Sequence, residues 1–285
     1  MSATLQPTRD VLLNVARKLP PAAQILAGIV ELLHDVNTDL DQIADEIRLD
    51  AALSSRVIRI SNSVVYGGAG NVSTVEEAVG RVGFAEIVRL VGTATVNRIV
   101  DQELRCYHVA IDPLREALLM HGLASEALAE QVGLSRNTAY VGGLLRGIGT
   151  MVLDRYAGDK LGAHQTYDPA EFSTYREWEV ARFGITSTRV TTMALDEWRF
   201  PDEIVSAIEL HLEPPVEGGE TERLANVINL GGTLAMNHGH AMPGEVPFWV
   251  LTPEKLAIVG IDEEQFRDVA VRANELFETQ RQALY

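Results

Sequence analysis

The chain has 285 residues, 46% apolar and 22% charged, with a formal net charge of −16 and one cysteine, Cys106. That length buries one large core or two modest ones, and a lone thiol excludes an intrachain disulfide and a thiolate zinc cluster. Residues 1–105 hold 10 Lys and Arg against 13 Asp and Glu, so most of the negative charge lies in residues 106–285, which argues against nucleic acid or an anionic membrane surface as partner.

No apolar run approaches the ~20 residues needed to span a bilayer, and the first residues lack a basic stretch followed by an apolar one. A cytoplasmic protein is expected.

After a ragged start to about Thr8, nearly every segment reads helical. Ile25, Leu26, Ile29, Leu32 and Leu33 recur at three- and four-residue spacing, which puts them on one helix face. Leu40, Ile43, Ala44 and Ile47 form a second stripe, with Thr38 or Asp39 as its cap, and Asp50 caps a third helix carrying Leu53, Val57 and Ile60. Asn62-Ser63 leads to the turn Tyr66-Gly67-Gly68-Ala69-Gly70. Thr74 and Glu77 have capping-box spacing, Gly83 suits a positive-φ stop, and residues 84–98 form a longer amphipathic helix. Five helices are expected in the first hundred residues.

Asp112-Pro113 reads as a cap followed by a proline in the first turn, and Gly133 closes that helix. Arg136 to Tyr156 reads as one apolar helix, hydrophobic all round and therefore central, with Gly142-Gly143 allowing close approach of another backbone. Asp168-Pro169, Pro201-Asp202, Thr221 and Thr252-Pro253 mark further helix starts, and Asp262 with Gln265 caps the last, to about Ala283. No alternating run reads as a strand, so the fold class is all-α. Two loops stand out, acidic residues 213–220 and residues 239–251 with Phe248 and Trp249. Arg48, Arg56, Arg59, Arg81, Arg89 and Arg98 recur in the first part, as a basic face or solvated helix surface.

The chain has no G-x-S-x-G, no G-x-x-x-x-G-K-[ST] and no H-E-x-x-H. His34, His108, His164, His238 and His240 show no ligand spacing.

Leu19-Pro20-Pro21, Asp50-Ala51-Ala52-Leu53, Arg59-Ile60-Ser61-Asn62-Ser63 with Tyr66-Gly67, Val72 to Ala78 and Val82-Gly83 occur in an order that resembles the HDOD domain, an output module of bacterial signalling proteins related to the HD phosphohydrolases. The resemblance runs from about Leu19 to Ala241 and weakens after His211. It implies a small N-terminal helical bundle lobe, residues 1–105, packed on a larger HD-like helical lobe, residues 106–285. Against the HD ligand set, His121 stands at the first histidine, Arg146-Gly147 replaces the His-Asp pair, Ser187 to Arg189 occupies another histidine's region, His211 retains one, and Gly232 takes the place of the last aspartate.

A guanidinium does not deprotonate and glycine has no side chain, so Arg146 and Gly147 cannot ligate a metal. The resemblance therefore implies no cofactor, no metal and no catalysis, but a signal-transduction module acting by protein contacts in trans or by self-association. A cation buried in such a pocket needs an anion; Asp154, Glu197 and Glu209 are the internal candidates, a phosphate or nucleotide the external one. The alternatives are a nucleotide-sensing pocket, with Arg146 and the Arg59 region clamping phosphates, and a residual phosphohydrolase using His121, His211 and Asp154. Arg59, Asn62, Ser63 and Tyr66 carry the family signature, and each also has a structural role open to it, with Asn62 and Ser63 able to satisfy the last carbonyls of their helix.

Overall fold

Fifteen amphipathic or fully apolar segments become fifteen α-helices in the computed structural model, which describes residues 5–20, 22–33, 37–63, 71–161 and 165–281. In the first part these are α1 (Arg9–Ala16), α2 (Ala22–Leu32), α3 (Leu40–Arg48), α4 (Ala51–Ser61), α5 (Val75–Val82) and α6 (Phe84–Ile99). The second part holds α7 (Ile111–Val132), α8 (Arg136–Leu145), α9 (Ile148–Ala157), α10 (Tyr175–Phe183), α11 (Ser187–Glu197), α12 (Asp202–Leu210), α13 (Glu220–Asn237), α14 (Pro253–Val259) and α15 (Glu263–Arg281). The fold is all-α: among the described residues the only β pairing is the isolated bridge between Leu104 and Val109. No helix among them is long and apolar enough to cross a membrane.

Capping explains most of the boundaries. Asp50 accepts from the Ala52 and Leu53 amides, both at 2.9 Å. Asp39 with Gln42, and Thr74 with Glu77, form complete capping boxes, and Asp262 and Gln265 bond each other's backbone reciprocally. Three expected starts move. α7 begins at Ile111 with Ala110 as an uncapped N-cap, placing Asp112 and Pro113 inside its first turn. Asp168-Pro169 opens only a turn, and Thr174 caps α10 instead. At α13, Glu222 reaches back to the Gly219 amide, so the helix starts one residue before Thr221.

The helix expected from Arg136 to Tyr156 is two helices, broken at Arg146-Gly147. The cause lies on α11. A Cβ on Gly149 would stand 1.9 Å from the Ser187 carbonyl oxygen, so α9 and α11 meet backbone to backbone. Thr191 seals the break, its hydroxyl accepting from the Gly149 amide at 2.8 Å and donating to the Arg146 carbonyl at 3.0 Å. The expected close approach at Gly143 is present, a Cβ there falling 2.8 Å from the His121 carbonyl oxygen on α7.

α7 is the axis of the second part, buried along most of its length against α8, α13 and α15. Among the described residues the first part holds six helices rather than five, and the extra one, α1, packs on α9 and α11, with Arg17 paired to Glu197 at 2.6 Å. Arg89 on α6 ties the first part to the second: its Nε and Nη2 donate to the buried Glu126 carboxylate of α7 at 2.7 and 2.6 Å. Three of the other arginines are also engaged. Arg48 pairs with Asp45 and Glu76, Arg98 with Asp50, and Arg81 donates to Asn62 at 3.1 Å.

Candidate functional site

The helix break delivers Arg146 to the buried interior of the second part. Its side chain is 2% exposed. Nε donates to His121 Nδ1 at 2.7 Å, and His121 Nε2 lies 2.7 Å from the Ile228 carbonyl, which assigns the proton of this ring to Nε2. Nη1 lies 2.8 and 2.7 Å from the two carboxylate oxygens of Glu245. The guanidinium carbon stands 5.1 Å from the centre of the Trp249 ring.

Glu245 and Trp249 come from the segment after α13, a strap whose core is a 3-10 turn, Pro243–Phe248. Trp249 is 1% exposed and lies edge-to-face with His121 at 5.2 Å and tilted against His211 at 6.1 Å. Its floor is Gly232, where a Cβ would come within 2.5 Å of the indole. Gly244 packs on Tyr175, a Cβ there falling 2.2 Å from the phenol ring. The loop with Phe248 and Trp249 thus packs its tryptophan inward.

His211 Nδ1 donates to the Ile208 carbonyl at 2.6 Å, leaving a lone pair on Nε2, which is buried and has no hydrogen-bond partner among the described residues. Burial, then the adjacent Arg146 charge, holds His121 well below the ordinary histidine value and pushes His211 down to about 3, so both rings are neutral.

The three carboxylates expected to face Arg146 are engaged elsewhere. Asp154 accepts from the Cys106 amide at 2.7 Å, Glu197 pairs with Arg17, and Glu209 accepts from Thr192 at 2.9 Å and lies 3.5 Å from Arg189. The anion is Glu245. Its sequence signal is weak, an acid between Pro243 and Pro247 in a loop visible only for its aromatics.

Glu179 on α10 was also not singled out by sequence. It is fully buried, accepting from the Ser187 amide at 2.7 Å and the Tyr107 hydroxyl at 2.8 Å, and burial pushes its carboxyl up to about 7 against those hydrogen bonds. Burial raises the Cys106 thiol to about 12, leaving it an inert core group.

Of the family-signature residues, Arg59, Asn62 and Ser63 do not join the Arg146 cluster. α4 packs chiefly on α3, α5 and α6. Arg59 is exposed on it, and Ser63 donates its amide to the Ile60 carbonyl at 2.9 Å. The Asn62 amide bonds the Val72 backbone in both directions at 2.8 Å, closing the intervening loop rather than binding the helix-end carbonyls. Tyr66 and the turn Gly67–Gly70 lie outside the described residues.

The pocket does not fit a divalent metal. A permanent cation occupies its centre, His121 Nδ1 accepts from that cation, and an indole covers Gly232, which has no side chain to offer. Among the described residues no three His, Cys, Asp or Glu side chains are grouped to hold one.

An all-α protein whose core holds a buried Arg146–Glu245 pair under Trp249 is the class these features define. The chain belongs to the HDOD domain family, whose pattern matches residues 19–214. No curated protein is similar in sequence. Three solved structures share the fold. A provisionally named signal transduction protein of Marinobacter aquaeolei VT8 matches at 20% identity and a TM-score of 0.68 over 97% of this chain, which spans only 64% of that one. A provisionally named phosphohydrolase of Shewanella amazonensis SB2B matches at 19% and 0.67, covering 96% of this chain and 98% of its own. An HDOD domain protein of unknown function from Geobacter sulfurreducens matches at 18% and 0.66, covering 98% and 99%.

Proposed function

We propose that this chain is a non-catalytic regulatory module of signal transduction that acts through contacts with other proteins. One observation carries the reading: the Arg146 guanidinium, neutralised by Glu245 and covered by Trp249, stands where hydrolysis would need metal and activated water. The family assignment and the signal-transduction name of a structural neighbour support the same class. Exposed Val246, Val250 and Leu251 on the outer side of the strap offer an apolar contact surface. A residual phosphohydrolase would need Asp154 beside His121 and His211, but Asp154 is turned to Cys106.

Metal analysis of the purified full chain, combined with a phosphodiesterase assay on bis-p-nitrophenyl phosphate, tests the reading. Metal-free protein without turnover is expected. Stoichiometric divalent metal together with turnover would sink it.

A further inference from the structure

Trp249 and Glu245 are the parts of the pocket that no helix supplies. A buried cation normally finds its anion on a packed element, where holding it costs little extra ordering. Arg146 instead takes its carboxylate from a short irregular strap between Gly239, at a φ of 82°, and the Thr252 cap of α14. The strap's inward contacts are Gly244 on Tyr175, Glu245 on Arg146, Trp249 on Gly232 between the two imidazoles, the Phe248 carbonyl accepting from Asn229 at 3.2 Å, and buried Met242 at its start. Its outer residues Val246 and Val250 are 42% and 55% exposed. The segment is held on its inner side, by α7, α10 and α13, while its outer side is exposed.

Its contents also have a recognisable chemistry. A planar aromatic ring lies on a side-chain-free floor beside two neutral imidazoles, and a carboxylate joined to that ring by the chain neutralises the guanidinium. Beneath it, the His211 Nε2 lone pair goes unused by the protein. With the strap out, Arg146 would be left buried and uncompensated, a strong attraction for another anion.

We propose that the strap is a removable plug, and that Trp249 and Glu245 hold the place of an external ligand of the same chemistry: a planar aromatic molecule bearing a carboxylate or a phosphate. Binding of that ligand displaces residues 243–249 and with them the exposed apolar strip, which makes it the input of the regulatory module; the inference rests on the non-catalytic reading above. Because the plug competes, apparent affinity in the wild type is the intrinsic affinity reduced by the small fraction of open molecules.

The test uses the full chain as wild type, as the emptied variant Glu245→Ala/Trp249→Gly, and as that variant with Arg146→Gln added. Probes are indole-3-acetate, adenosine 5′-monophosphate and inorganic phosphate, read by calorimetry. The emptied variant is expected to bind one of the two aromatic anions at least about tenfold more tightly than wild type, phosphate alone binds much more weakly, and Arg146→Gln abolishes binding. Which aromatic anion wins tells a carboxylate ligand from a phosphorylated one. In wild type, hydrogen exchange at the amides of Glu245 and Trp249 should run well ahead of α7. Failure of a folded emptied variant to bind either aromatic anion, binding that survives Arg146→Gln, or strap amides that exchange only with α7 each overturns the plug. Should the double variant not fold, Glu245→Gln must show faster strap exchange and tighter binding than wild type, and neither change again overturns it. Metal-dependent turnover would defeat the non-catalytic reading while leaving a binding result intact.

Discussion

Arg146 and Glu245, 99 residues apart in sequence, form a buried ion pair in which a single guanidinium nitrogen lies within 2.8 Å of both carboxylate oxygens. Such a pair contributes little over an apolar replacement, yet leaving one partner alone is costly. Glu245→Ala should therefore destabilise the protein by about 3–5 kcal/mol, whereas the double change Arg146→Met/Glu245→Leu should recover most of that loss. Urea unfolding of Arg146→Met, Glu245→Leu and the double variant gives the coupling. Additive losses would mean that the pair is not interacting as described.

Gly149 separates a backbone contact from mere helix propensity. Its absent Cβ is the space occupied by the Ser187 carbonyl oxygen at 1.9 Å, so Gly149→Ala must push α9 off α11 and should cost more than about 3 kcal/mol. Gly80→Ala is the control. That glycine lies inside α5 with its nearest neighbour 4.0 Å from a built Cβ, and alanine there should stabilise by up to about 1 kcal/mol. Thermal midpoints of the two variants should move in opposite directions.

Gly232 is the seat of Trp249. Alanine at 232 places a methyl group 2.5 Å from the indole, and an interior this dense cannot absorb it in place. Gly232→Ala should expel the ring, shifting tryptophan emission to the red in a background where Trp178 and Trp198 are phenylalanine. An unshifted spectrum would show that the indole has room to spare.

What the sequence revealed divides along local and non-local lines. Helices announced by their own caps, such as those starting after Asp50 and Thr74, are where spacing puts them, because cap and helix lie within four residues. The break at Arg146-Gly147 was illegible because its cause, the Ser187 backbone, belongs to another helix. That Arg146, Gly147 and Gly232 cannot ligate a metal follows from side-chain chemistry alone. The anion facing Arg146 does not: Glu245 is one of 40 acidic residues, and only the path of the strap distinguishes it from Asp154, Glu197 or Glu209.

Glu179 provides a pH-dependent measurement. Its carboxyl titrates at about 7 when folded against 4.5 ordinarily, so between these values the folded protein holds a proton that the unfolded chain has released. The contribution to stability is complete below about pH 4.5 and is lost as pH rises through about 7, amounting to about 3 kcal/mol across the window. His211 works in the opposite sense. Its folded value of about 3 lies below the ordinary 6.5, so stability is lost as pH falls from 6.5 toward 3, and His121 acts in the same direction. The wild-type profile alone therefore mixes opposing slopes. Glu179→Gln isolates one of them, because the amide imitates the protonated acid toward Ser187 and Tyr107 while both histidines remain. Relative to this variant, wild type should lose stability steadily between about pH 5 and pH 7.5, by about 3 kcal/mol in all. A difference that stays constant across that range would mean that Glu179 is already ionised in the fold, and would remove burial as the dominant influence on it.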